Sequence, residues 1–204
     1  MVNNDLSDKE RWQERYENGN TPWDSGQPDG NLVVFVENNV IDPSKTLEVG
    51  CGTGTNSLYL AEKGFDVTGV DISDIAVEKA IKKAKADGVS CKFTVSNFME
   101  KTVGEDFLFV YDRGCFHTME SDEERLGYAL KVHKHLTDDG HWLSVMGSSD
   151  DAPRETGPPM LSAKNIVDAV EKHFEILSLT TGEIDTAREK SPKAWICLMK
   201  RRDI

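Results

Sequence analysis

The chain has 204 residues, with 24 Lys and Arg against 36 Asp and Glu, a formal net charge of −12 and a pI near 4.9. That field repels polyanions, so no nucleic-acid partner is expected. The length suits one domain, residues 1–204, burying roughly 70% of its unfolded surface.

Short apolar runs alternate with helical patterns along the chain. A helix is predicted over Leu32–Asn39, then a strand at Thr46–Val49, a helix at Asn56–Lys63 ending at Gly64, and a strand at Val67–Asp71. Ser73–Ala86 follows as a helix, capped by Ser73, with Val77, Ala80, Ile81 and Ala84 as its apolar stripe and Gly88 just past its end. Strands at Lys92–Val95 and Phe107–Asp112 come next. Ser121 and Glu124 then make a capping box before Leu126, Ala129, Leu130 and His133 at helical spacing. Trp142–Met146 reads as a strand, Gly147–Leu161 as a long loop that closes on the site, and Ser162–His173 as the last helix. The final strands, Ile176–Thr180 and Ala194–Met199, have only a polar connector between them and so are antiparallel. The prediction is an α/β fold: a Rossmann-like seven-stranded, mostly parallel sheet with an antiparallel edge hairpin and helices on both faces.

The apolar runs Leu32–Val36 and Phe107–Tyr111 are five residues each, far below the ~20 a membrane span needs. MVNNDLSDKE lacks a basic start and an apolar stretch, so no secretory signal and no membrane partner are expected. The four Cys, at 51, 91, 115 and 197, form no CxxC pair and read as the reduced thiols of a cytoplasmic protein. The Lys cluster at 79, 82, 83 and 85 reads as the solvated face of its helix, and His133 as a packed or rim residue.

The stretch from Thr46 to Thr55, TLEVGCGTGT, places Gly50, Gly52 and Gly54 between a strand and a helix. Glycines there let backbone approach a ligand and leave amide donors free. Thr55 stands where the third glycine of a dinucleotide fingerprint belongs, and Glu48 would crowd an anionic pyrophosphate. The carboxylate suits a cationic ligand instead, and S-adenosylmethionine carries a sulfonium and an amino group without phosphate. Asp71, 23 residues after Glu48, ends the next strand near the offset at which an acid takes both ribose hydroxyls of an adenosine.

With EVGCGTG followed by GVDIS, the chain resembles class I S-adenosylmethionine-dependent methyltransferases over its whole length. The resemblance implies that Gly50, Cys51, Gly52, Thr53 and Gly54 wrap the methionine and ribose of the cofactor and that Asp71 holds the ribose. It places Ile72 against the adenine, and Asn97-Phe98 at the position that contacts the adenine amino group, where many relatives carry Asp. Trp12-x-x-x-Tyr16 with GNTPWDSGQP at 19–28, and Asp112-Arg113-Gly114, are similar to thiopurine and tellurite-resistance methyltransferases and their thiol-methylating relatives. In these, residues 1–30 form an N-terminal lid and Trp12 and Trp23 cover the methionine end, where an indole face beside a sulfonium is worth ~0.5–2 kcal/mol. Read without the resemblance, both indoles simply pin the N-terminal arm to the core.

The fourth strand runs into YDRGCFHT, across the methyl group from the glycine loop. Asp112 is a candidate to accept a bond from the acceptor or to orient His117. Arg113 is a candidate to hold an anionic acceptor, or else a surface ion pair, and His117 a candidate general base or a structural imidazole. Cys115 reads as a small buried thiol, since one Cys and one His are too few for a zinc site. The expected activity is methyl transfer to a small soluble nucleophile, foremost a thiol or other chalcogen. An O- or N-methyltransferase for a phenol or heterocycle, a cofactor-binding module without catalysis, and a nicotinamide dehydrogenase are the alternatives.

Overall fold

The computed structural model describes residues 6–153, 157–187 and 189–203. Seven strands form one sheet in the order β3-β2-β1-β4-β5-β7-β6: β1 is Lys45–Val49, β2 Asp66–Asp71, β3 Lys92–Val95, β4 Phe107–Arg113, β5 Leu136–Gly147, β6 Phe174–Glu183 and β7 Lys193–Arg201. β1 to β5 pair in parallel, and β7 runs antiparallel to both β5 and β6. The edge hairpin expected from the sequence is therefore present, with its second strand inserted beside β5.

Six helices join the strands: α1 Asp8–Glu17, α2 Gly30–Glu37, α3 Thr55–Glu62, α4 Asp74–Asp87, α5 Asp122–His135 and α6 Ala163–Val170. α1 is absent from the sequence prediction, although Ser7 and Glu10 form a capping box that marks its start. It is polar, buries only Tyr16, and offers no apolar stripe to detect. α2 begins two residues earlier than predicted because the Asp29 carboxylate accepts from the Asn31 and Leu32 amides. α6 stops at Val170 rather than His173, and β5 starts at Leu136, its first residue pairing with Phe107.

Two helix faces differ from the prediction. On α4 the predicted Val77, Ala80 and Ala84 are buried, together with Ala76, while Ile81 is 50% exposed at the edge of that row. On α5 the buried row is Arg125, Tyr128, Ala129, Val132 and His133, leaving Leu126 and Leu130 half-buried. Both sets obey the 3.6-residue period; the sequence leaves open which row faces inward.

The sheet carries a core on each face. One gathers Phe116, Tyr128, Trp142 and Phe174 with Val170 and Met199; the other packs Leu32, Leu60, Phe65, Phe109 and Leu143 with Ile196. Asp112 lies fully buried within the first. Its carboxylate accepts from Trp142 Nε1 (2.8 Å), the Phe116 amide (2.9 Å) and the Cys115 amide (3.2 Å), which folds the chain sharply after β4. Gly147–Leu161 is fastened at its root, where Ser148 bridges to Leu161 and Trp195 donates to the Leu161 carbonyl at 2.9 Å; residues 154–156 of this predicted lid lie outside the described residues.

Gly54 caps α3 at φ +80, and a Cβ there would stand 2.8 Å from Ala80 Cβ and 2.9 Å from Phe93 Cζ. Gly88, at φ +68, meets nothing within 4 Å. Gly88→Ala is expected to cost about 1–2 kcal/mol, the left-handed penalty alone, and Gly54→Ala about 2–5 kcal/mol through added overpacking. Urea unfolding of the two variants side by side checks the difference.

Candidate functional site

A cavity of about 610 Å³ opens beyond the carboxyl ends of β1, β2 and β4, where open α/β sheets bind ligands. Its volume falls within the ~300–1,000 Å³ of small-molecule sites. Every residue predicted for the cofactor except Gly54 lines it: Trp12, Trp23, Glu48, Gly50, Cys51, Gly52, Thr53, Asp71, Ile72, Asn97 and Phe98. Gly54 sits one step behind, as the cap of α3.

The floor is built by carboxylates that fix backbone. Asp71 Oδ2 accepts from the Gly52 amide at 2.9 Å and Oδ1 from the Ser73 amide at 2.8 Å, so one side chain shapes both the glycine loop and the turn into α4. Burial raises its pKa, opposed by those same amides. Glu48 departs from the expectation. Its oxygens are taken by Ser57 Oγ and Asn56 Nδ2, at the start of α3, and it is 2% exposed, so at the cavity wall it ties β1 to the first turn of α3. Asn97 also turns to the protein, donating to Glu100 and accepting from the Met99 amide at 3.0 Å each.

The cover comes from the N-terminal arm. Trp12 and Trp23 meet edge to face at 5.4 Å, and Trp23 Nε1 donates to the Tyr16 hydroxyl at 3.4 Å. The Arg15 guanidinium lies 4.6 Å over the Trp23 ring, so a protein cation already rests against the indole that was expected to face a sulfonium. Two lysines read as solvated are tied to this region instead. Lys83 Nζ donates to Thr53 Oγ1 (2.8 Å) and Thr55 Oγ1 (3.1 Å), and Lys79 Nζ to the Tyr16 carbonyl (3.3 Å). Thr53 in turn donates to Asp24 at 2.7 Å, closing the arm onto the glycine loop.

The three predicted catalytic residues do not act as a unit. Asp112 is spent on the β4 turn and does not orient His117. Arg113 lines the cavity, but its guanidinium bonds to Asp29 Oδ2 (3.1 Å), twice to the Trp23 carbonyl (2.5 and 3.2 Å) and to the Asp185 carbonyl (2.8 Å), which is not the free cation expected for an anionic acceptor. His117 also lines the cavity, and its Nδ1 accepts from the Gly147 amide at 2.6 Å. An amide can only donate, so the neutral ring carries its proton on Nε2. Cys115 is next to Gly50, 3.3 Å from where a Cβ would stand there, and burial with the nearby Asp112 pushes its thiol pKa up, as befits the inert thiol predicted. His133 packs at the far side of α5, its Nε2 2.9 Å from the Arg202 carbonyl.

Residues missed from sequence are Arg15, Tyr16, Asp24, Asp29 and the β6–β7 connector, which contributes Ile184, Thr186 and Pro192 to the wall. Asp29 had a local signal, an acid immediately before the GNLVVF helix; the connector had none.

A glycine-rich strand-to-helix loop, an acid closing the second strand and a sheet of order 3-2-1-4-5-7-6 with one reversed strand define a class I S-adenosylmethionine-dependent methyltransferase. The donor set fits that cofactor. Asp71 retains lone pairs toward the cavity for ribose hydroxyls, aromatic rings cover one end, and the lysine nearest the loop, Lys83, is bonded to Thr53 and Thr55. Residues 7–201 match the model of the thiopurine S-methyltransferase family, and the chain belongs to it. It is 28% identical over 183 residues to the protein of Arabidopsis thaliana named Probable thiol methyltransferase 2, covering 88% of this chain and 80% of that one. It is 26% identical over 159 residues to the 2-heptyl-1-hydroxyquinolin-4(1H)-one methyltransferase of Mycobacteroides abscessus, covering 76% and 69%. Among solved structures it is similar to one from work on the conversion of a disulfide bond into a thioacetal group during echinomycin biosynthesis, with a TM-score of 0.85 and 26% identity over 95% of this chain and 92% of the other. The protein is a methyltransferase acting on small molecules.

Burial pushes the Glu48 carboxyl from its ordinary 4.5 up to about 7, against the bonds from Ser57 and Asn56. The native state therefore holds a proton that the unfolded chain has released; the stability from this group is full below 4.5 and is lost as pH rises through about 7. Glu48→Gln stays neutral, so the native chain should lose more stability than the variant as pH rises across that window, by at most about 3 kcal/mol. Urea titrations at the two ends of the window measure it.

Proposed function

We propose that the protein methylates a small thiol or related chalcogen acceptor, with the cofactor held by Gly50–Gly54, Asp71, Ile72, Asn97 and Phe98 beneath Trp12 and Trp23. Bound there, S-adenosylmethionine supplies a methyl group on a sulfonium that departs as a neutral thioether. The chain's own part is to hold, align and dry the reactants; orientation of this kind is worth ~7–11 kcal/mol of barrier.

The observation that carries the choice of acceptor is the bond from the Gly147 amide to His117 Nδ1. It leaves the proton on Nε2, so the ring is a donor there, and turning it into a base would break a bond to buried backbone. Asp112 has both oxygens bonded within the core. Neither His117, the candidate base, nor Asp112 is suited to remove a proton, and an acceptor that ionises by itself is the natural partner. A thiol of pKa ~8.5 is a few per cent thiolate at neutral pH and strongly nucleophilic in that form. The relative named for thiol methylation supports the same reading, as does the structure from work on a disulfide conversion. The net charge of −12 disfavours nucleic-acid acceptors. The quinolone methyltransferase relative keeps a second reading, transfer to oxygen or nitrogen with His117 as base.

Methyl-labelled cofactor offered to small thiols, selenide, phenols and heterocyclic amines, with products read by mass spectrometry, separates the two. Thiol products are expected, with a rate that climbs with pH toward the acceptor's own pKa, and His117→Gln should cost about tenfold or less. Methyl on oxygen or nitrogen, together with a loss above about a hundredfold in His117→Gln, overturns the thiol reading. In the same series Asp71→Ala should abolish measurable cofactor binding by calorimetry.

A further inference from the structure

The most heavily shared side chain of the site is Arg113. Its four bonds reach three segments that are 90, 84 and 72 residues away in sequence: the Trp23 carbonyl of the arm, the Asp29 carboxylate that caps α2, and the Asp185 carbonyl of the β6–β7 connector. These segments are also laced to one another. The Gly30 amide donates to Asp185 Oδ2 at 2.7 Å, Asn31 Nδ2 to the Glu183 carbonyl at 2.8 Å, and the Ala187 amide to the Pro22 carbonyl at 2.9 Å. The arm brings Trp23 to the cavity, and the connector brings Ile184 and Thr186.

We propose that Arg113 is a positioning residue that fastens the N-terminal arm and the β6–β7 connector into one cover, so that cofactor affinity depends on connector residues outside the cavity wall. The chemistry suits the task. A guanidinium presents five donors in a rigid fork, and here it collects two main-chain carbonyls and Oδ2 of the carboxylate whose Oδ1 caps α2. Lysine offers a point charge and cannot span the three. Since the arm and the connector share one pin, lifting either strains the other, and the cover opens as a unit. The inference rests on the cofactor assignment above and is independent of the acceptor's identity.

The decisive variant is Ala187→Pro, which removes the amide that donates to Pro22. Ala187 is not among the residues lining the cavity, so any effect on the cofactor passes through the cover. Calorimetry with S-adenosylhomocysteine is expected to show affinity reduced about threefold or more for Ala187→Pro and about tenfold or more for Arg113→Gln, the span of lost bonds to neutral and to charged donors. Arg113→Lys should recover little of it, and free guanidinium ion should restore part of the affinity of Arg113→Ala. Affinity within twofold of the native chain in Ala187→Pro overturns the proposal. So does a rise in acceptor KM alone in Arg113→Gln, which would make Arg113 an acceptor contact. If Arg113→Gln fails to fold, Ala187→Pro decides by itself. A chain that binds no S-adenosylhomocysteine in its native form refutes the cofactor assignment instead, and so is told apart from failure of the cover.

Discussion

Carboxylates buried beside the ends of three adjacent parallel strands must each find donors, and the donors available are the backbone amides and small polar groups of the chain that follows. An unpaired buried charge would be intolerable, so the loops take whatever course brings their donors in. Asp71 draws in the Gly52 and Ser73 amides, Asp112 those of Cys115 and Phe116 together with the Trp142 indole, and Glu48 the first turn of α3. Burial raises the pKa of all three, and the bonds from these partners oppose that rise. The shape of the cavity floor is a by-product of satisfying them.

The cover obeys a different rule. α1 buries a single side chain, so little hydrophobic free energy holds it down. The arm is held by polar contacts to α4 and the glycine loop: Lys9 with Asp74, Gln13 with Ser73, Lys79 with the Tyr16 carbonyl, and Asp24 with Thr53, which also accepts from Lys83. An exposed ion pair such as Lys9–Asp74 contributes at most about 1 kcal/mol. A rigid floor preorganised by buried charge and a cover attached by individually weak bonds is the division of labour that lets a cofactor enter and then be shielded from water.

How much of this was legible in the sequence follows from the range of the contacts. The glycine loop at the strand-to-helix turn and the alternation of strands and helices were readable because their logic is local: strand, turn, helix, next strand. The direction of β7 followed from the missing crossover helix. The partners of Glu48, Asp112 and Arg113 were not legible, because residue type names a charge without naming its partner. Asp112 meets Trp142 across 30 residues, and Arg113 meets Trp23 across 90. α1 was missed for the complementary reason, that a helix without an apolar stripe has no periodic signal, and only its Ser7–Glu10 cap betrays it.

The same bookkeeping bears on chemistry. A site that must remove a proton needs a basic atom kept out of the structural hydrogen-bond network, held ready at some cost in stability. Here three polar side chains at the end of β4 are committed: Asp112 to three donors, Arg113 to three acceptors, His117 Nδ1 to the Gly147 amide. That commitment rigidifies this part of the cavity wall. Such commitment is acceptable when the leaving group is already activated and the nucleophile ionises unaided, and it would be a defect for an acceptor such as a simple alcohol, whose proton must be removed. Under the proposed function, the polar groups a fold spends on its own loops are thus the ones it cannot also offer to an acceptor's proton.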